Sequence, residues 1–455
     1  MLPRTDQLAL VADGTPTGTR PTISTGRVHP ARQRRTVATL LTGLLLILSA
    51  CGGDPAASAS DPEVPRPAAD SESAPALAAG LNAVGYDLFH AEAAASEQDV
   101  VLSPLSIGLA FGMLDVGATG ETAEALDELF AYPVEGEARW SAFNTLDQRV
   151  VDTSETGDGE QMIVRLANRQ FPDEAFEPVE GYDEAIARWF GAGIEPLPIR
   201  ADPAAARERI NGWVSERTEG RIPDLLPDSA PGPMAELVLV NALYYEAGWF
   251  SPFEESLTTD ADFTRLDGSV VQVPTMKSFW LDGPVSITDG YEAVVMTYAD
   301  TDYQLLLVVP TQGDYGEVEA AFGGELIDTI DDEMRQADHV PVVVHLPRFD
   351  SATHLPLRER LEQDLGVSGL FDVPGGLAGI DEDLMLGNAF HAATIEVDEE
   401  GTVATAATAL EAVEGAEPDP AEPIEIRVDR PFLYLIRHQP TGANLFVGRV
   451  LDPSV

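Results

Sequence analysis

The sequence predicts an α+β domain whose sheets are built from segments far apart in the chain. Helical periodicity dominates early, strand-like runs gather late, and 455 residues at 44% hydrophobic supply enough apolar surface for one large core. No internal repeat divides the chain into modules.

Taken in order, Leu77 to Ala95, Leu105 to Val116 and Thr122 to Phe130 carry apolar residues at helical spacing, with Thr122 placed to cap the third. The acidic stretch Asp152 to Glu160 reads as a surface loop. The runs Leu237 to Tyr245, Tyr303 to Val309, Val342 to Leu346, Thr394 to Val397, Ile424 to Val428 and Phe432 to Ile436 are apolar or β-branched, mostly bounded by Gly, Pro or Asp, and read as strands. Between Thr394–Val397 and Ile424–Val428 lies Glu399 to Leu410, a glycine followed by small residues without proline or charge. From Thr402 every second residue (Thr402, Ala404, Ala406, Thr408, Leu410, Ala412) is small or apolar, so one face fits a sheet. Pro418, Pro420 and Pro423 come later, where a missing backbone N–H threatens no ladder. By composition alone, a disordered Ala/Thr linker describes this segment equally well.

Arg32, Arg34 and Arg35 precede the apolar run Val37 to Leu48, followed by Leu48-Ser49-Ala50-Cys51, which is the order of a secretory signal peptide. The run is too short to span a membrane stably. Leu-Ser-Ala-Cys resembles a bacterial lipobox, in which Cys51 becomes the lipidated first residue; a plain secretory signal is the alternative. Residues 1–50 are therefore read as the signal region, with 1–27 lying ahead of a conventional start at Val28. Residues 51–75, rich in Ala, Ser, Pro and Asp, are read as a lipidated cysteine and solvated tether, and 76–455 as the folded domain. Cys51 is the single cysteine, which excludes an internal disulfide.

The formal net charge is −50, and removing residues 1–50 takes away six arginines and two aspartates, leaving −54. Such a surface repels nucleic acid and anionic lipid headgroups, so neither nucleic acid nor a polyanionic activator is expected as a partner. Lys277 is the sole lysine, and the seven histidines are scattered singly. No Gly-x-Ser-x-Gly, His-Glu-x-x-His or phosphate-binding glycine loop occurs, so no catalytic residue, metal or cofactor is expected.

Several motifs, in order, resemble those of the serpins. They are Val101-Leu102-Ser103-Pro104-Leu105-Ser106-Ile107 with Gly117-Ala118-Thr119-Gly120-Glu121-Thr122; Asn211-Gly212-Trp213-Val214 with Thr218-Glu219-Gly220-Arg221-Ile222; and Leu239-Val240-Asn241-Ala242-Leu243-Tyr244-Tyr245 through Trp249 and Phe253. Leu346-Pro347-Arg348-Phe349, the glycine segment, and Arg430-Pro431-Phe432 through Leu445-Phe446-Val447-Gly448-Arg449-Val450 complete the series, which runs from about Leu77 to Pro453. Each is weak alone; together they are specific. The resemblance implies three sheets, about nine helices and an exposed reactive loop offered as bait to a protease. Serpin loop insertion is a known case of strand addition with release of stored strain. After acyl-enzyme formation the cut loop enters the main sheet and drags the protease with it. A strand of roughly fourteen residues at about 3.3 Å each spans roughly 46 Å, enough to cross the domain.

The resemblance also assigns roles by position. Glu399, Gly401, Thr402, Ala404, Ala406 and Thr408 match the hinge, with Val403, where an acid is common, facing outward. Ser103, Ser106, Asn241 and His391 match the shutter, whose hydroxyls, amide and imidazole can satisfy one another and exchange partners when strands part. On bare sequence His391 reads as a satisfied core histidine, which is compatible with that role. Trp249 matches the breach tryptophan, and as a residue type fits an ordinary core aromatic equally. Arg348 and Glu399 match a pair at the top of the sheet that, if solvated, would contribute little. Glu246 and Ala247 replace the family's usual lysine and glycine.

Counting from Gly401 by the family's spacing puts the reactive bond at Gly415-Ala416, with Val413 and Glu414 as alternates. Gly or Ala suits subtilisin-like or elastase-like proteases; Glu414 would suit a glutamyl endopeptidase. No Arg or Lys lies between Gly401 and Ile426, which disfavours trypsin-like targets. The expected function is that of a monomeric, lipid-anchored, extracytoplasmic suicide inhibitor of serine proteases, not an enzyme. A non-inhibitory binding module and cross-class inhibition of papain-like proteases are the alternatives.

Overall fold

The computed structural model describes residues 64–150, 153–155, 161–232, 235–279, 281–402 and 422–454. Among them are three sheets and nine α-helices in a mixed α+β order.

The main sheet has seven strands. Gln161–Pro172 (the flanking strand) pairs antiparallel with Leu237–Gly248 (the central strand), which pairs in parallel with Asn388–Val397 (the outgoing strand); Phe349–Pro356 closes that side. Gly401–Thr402, Thr153–Glu155 and Gly193–Ile194 are short additions. A six-stranded antiparallel sheet runs in the order Val100–Leu102, Ala443–Val450, Phe432–His438, Tyr303–Pro310, Tyr291–Thr297 and Val285–Ile287. The third sheet joins Ile424–Arg427 in parallel to Val340–Pro347, then Val270–Lys277 and Thr259–Thr264, with Leu281–Gly283 beside Val340–Pro347.

Burial explains the strand sequences. The central strand is apolar for most of its length because both faces are covered. Leu239, Leu243 and Tyr245 join the larger core, which includes the helix Pro104–Asp115, while Val238, Val240 and Ala242 join a smaller one with Ile210, Trp213 and Val214 of the helix Pro203–Arg217. Phe349–Pro356 alternates strictly between buried and exposed, as expected of a strand with one wet face. Ser103 caps Pro104–Asp115, its Oγ accepting from the Ser106 N–H at 3.3 Å, with Pro104 in the first turn where its missing donor costs nothing.

Three local expectations need correction. Thr122 does not cap its helix, which starts at Gly120; Thr119 precedes it and its hydroxyl donates instead to the Gly375 carbonyl, at 2.6 Å. Within the acidic stretch, Thr153–Glu155 forms an edge strand against Gln161–Ile163 rather than a loop. The segment read as tether is bound from Arg66 onward. The Arg66 guanidinium donates to Asn144 Oδ1 at 3.1 Å and the Trp189 carbonyl at 3.2 Å and pairs with Asp147, while Gln148 and Arg149 donate to the carbonyls of Pro67 and Ala69 at 2.8 and 3.0 Å. The Asp147 carboxylate, on the helix Glu137–Val150, anchors through Arg66 a segment whose composition alone reads as solvated. Gly191, in the left-handed region at φ 61°, leaves room for it: a Cβ there would stand 2.7 Å from Arg66 Nη1.

Candidate functional site: the seam of the main sheet

The central and outgoing strands pair directly only from Asn388–Ala393 against Val238–Leu243. Beyond that they diverge, and Gly401 and Thr402 occupy the gap, antiparallel to both: Thr402 lies opposite Val397 on one side and Ala247 on the other. Both residues are buried. Two parallel strands can accept an antiparallel newcomer between them, because each edge then offers a regular ladder.

The turn into this position is built locally. Asp398 Oδ1 accepts the backbone N–H groups of Glu400 and Gly401 at 2.9 and 3.1 Å, and the Asp398 N–H donates to the Gly401 carbonyl at 3.0 Å, the self-capping habit of aspartate in turns. Gly401 is required by close approach: a Cβ would fall 2.1 Å from the Ala247 carbonyl oxygen and 2.8 Å from Gly248 Cα. Trp249 holds the same turn, its N–H donating to the Glu400 carbonyl and its Nε1–H to the Asp398 carbonyl, both at 2.9 Å.

Glu399 and Arg348 pair, but not as a solvated pair. The Arg348 Nε and Nη2 groups donate to Glu399 Oε1 at 3.0 and 2.7 Å, the Thr258 hydroxyl donates to the same oxygen, and the glutamate side chain is 4% exposed against 46% for the arginine. Burial works to raise the Glu399 pKa, yet the donors from Arg348 and Thr258 outweigh it and hold the carboxyl below its ordinary range.

Further down the seam, Ser103, Ser106, Asn241 and His391 converge, all buried. His391 Nε2 accepts the Ser103 backbone N–H at 3.1 Å, so its proton sits on Nδ1 and is donated to Asn241 Oδ1 at 3.0 Å. Asn241 Oδ1 also accepts from the Ser106 hydroxyl at 2.6 Å, while Asn241 Nδ2 donates to Asn168 Oδ1 at 2.6 Å and to the Ser106 carbonyl. Every polar atom of the Asn241 side chain is thereby used. Burial pushes the His391 pKa down to about 3, with His354 pushing the same way, so the imidazole is neutral.

Sequence reasoning missed Asn168, Thr258 and Tyr298. Asn168 sits in Arg165-Leu166-Ala167-Asn168-Arg169-Gln170, too polar to read as a central strand; the other two carry no local signal. Ala404, Ala406, Thr408, Val413, Glu414, Gly415, Ala416 and Cys51 lie outside the described residues. Among the described residues no group of His, Cys, Asp or Glu could hold a metal ion, and no helix is long and apolar enough to cross a membrane.

A three-sheet α+β domain whose main sheet holds Gly401 and Thr402 between two parallel strands defines the class of fold. The chain belongs to the serpin (serine protease inhibitor) family, whose model matches residues 79–453. Antithrombin-III of Mus musculus is 31% identical over 376 residues, covering 81% of this chain and 80% of its own. An uncharacterized serpin-like protein of Thermococcus kodakarensis is 30% identical over 376 residues, covering 82% and 85%. The structure of native protease nexin-1 with heparin is similar with a TM-score of 0.71 at 28% identity, covering 84% of this chain and all of that one.

Proposed function

We propose that this chain is an extracytoplasmic suicide inhibitor of serine proteases with shallow primary pockets, subtilisin-like or elastase-like, and that it traps the acyl-enzyme by inserting its cleaved loop along the seam. The observation that carries this reading is the seating of Gly401 and Thr402 between the central and outgoing strands, which starts the new strand in register before any cleavage. Extending that strand separates the outgoing strand from the central one and breaks the His391–Asn241 contact, so Ser103, Ser106, Asn241 and His391 act as the latch. Trp249, Arg348 and Glu399 hold the entrance. Small residues at Ala404, Ala406 and Thr408 keep the path sterically open. Gly415-Ala416 is the proposed bait bond, with Val413 and Glu414 as alternates. Cys51 is the proposed lipidation site, which would keep the monomeric inhibitor at the outer face of the cell membrane.

Incubating the mature chain with a subtilisin-like and an elastase-like protease tests the reading. A covalent adduct stable to heat on a denaturing gel is expected, with a released C-terminal peptide beginning at Ala416. Clean cleavage by both enzymes without adduct would contradict it.

A further inference from the structure

Tyr298 ends the strand Tyr291–Thr297 of the six-stranded sheet, yet its phenol reaches into the seam of the main sheet. Its backbone bridges that of Trp249, its ring stacks on the Trp249 indole at 4.6 Å and 13°, and Tyr245 meets it edge-on at 5.3 Å. Held between these rings, the hydroxyl has little freedom, and it lies 2.8 Å from Thr402 Oγ1 with both residues buried. Among the residues that could occupy this position, Gly401 and Val403 carry no hydroxyl. A strand that slipped by one residue would turn every side chain to the opposite face, and would leave this phenol without its partner.

We propose that Tyr298 is a positioning residue that sets the register of loop insertion: its hydroxyl selects Thr402 as the first inward residue and seats the hinge before cleavage. Ala404, Ala406 and Thr408 then follow on the same face. This rests on the inhibitor reading above, but its first test does not. Hydrogen exchange at the Gly401 and Thr402 amides of the uncleaved mature chain is expected to quicken about tenfold or more in Tyr298→Phe and in Thr402→Val, and to stay as in the parent in Thr402→Ser. The number of inhibitor molecules consumed per protease trapped is expected to rise several-fold in either single variant, and no further in the double variant, since both remove one contact.

Unchanged exchange in a folded Tyr298→Phe protein would overturn the proposal, as would additive effects in the double variant or quickened exchange with unaltered trapping. Should Tyr298→Phe not fold, Thr402→Val tests the same contact from the other side. A parent chain that traps no protease at all would refute the inhibitor reading, and the exchange measurement would still decide whether Tyr298 seats Thr402.

Discussion

His391 and Asn241 lie directly opposite one another on the outgoing and central strands and share a hydrogen bond of 3.0 Å, so no strand can enter between them without replacing it. Continuing the register in which Thr402 faces Ala247 and Val397 would bring Thr408 to this point, between Asn241 and His391. Its hydroxyl can donate to one and accept from the other. Thr408→Val should therefore lower the melting temperature of the loop-cleaved form relative to the cleaved parent, by an amount equivalent to about 1–3 kcal/mol for a buried group left unpaired. Calorimetry on the cleaved parent and the cleaved variant checks this; equal melting of the two would contradict it.

Protonation of His391 gives a second test. Its folded pKa of about 3 lies below its ordinary value of 6.5, so the unfolded chain binds more protons than the folded one between these limits. Stability from this group is complete above pH 6.5 and declines as pH falls toward 3. Between pH 7 and 5.5 the share of this group in the decline should be on the order of 1 kcal/mol. Burial also lowers the pKa of His345 and His438, which act in the same sense, and raises that of Asp99 to about 6, which acts in the opposite one. His391→Gln should reduce the fall in stability over that window by about the same amount relative to the parent, as measured by denaturant titration of both at each pH.

Thr402→Arg should abolish trapping. A guanidinium cannot remain unpaired at a buried position between two strands, so the hinge would leave the seam and insertion would lack its first residue. The expected product with either protease is cleaved chain without adduct on a denaturing gel, and a persistent adduct would defeat the proposed mechanism.

Arg66→Ala should destabilise the domain by about 2–3 kcal/mol, because Asp147 would be left without its countercharge at 10% exposure. Pairing it with Asp147→Asn should recover part of the loss, since the carboxylate is then gone as well. Thermal unfolding of the parent, the single and the double variants measures the coupling.

Legibility of the fold follows from where burial leaves a mark. Leu237–Gly248 and Phe432–His438 are buried almost throughout, so their apolar runs were plain, and the segment after Gly401 stood out by its run of small residues. The flanking strand Gln161–Pro172 was not legible: Arg169, Gln170 and Asn168 interrupt it, and their partners Glu195, Tyr182 and Asn241 come from other elements. Arg66 was hidden in a stretch whose composition matches a tether, because Asp147 lies 81 residues away.

Residue type and spacing alone thus determined the α+β class and marked the run of small residues after Gly401, while the resemblance to a family supplied the four polar residues Ser103, Ser106, Asn241 and His391. Only the tertiary structure decided that Gly401 and Thr402 already lie in the seam, that Glu399 is buried against Arg348 and Thr258, and that Tyr298 is the group facing Thr402 across 104 residues of chain. Hydrophobic periodicity is written in consecutive residues, whereas a hydrogen bond between distant segments depends on how the sheets pack and leaves no pattern in either segment.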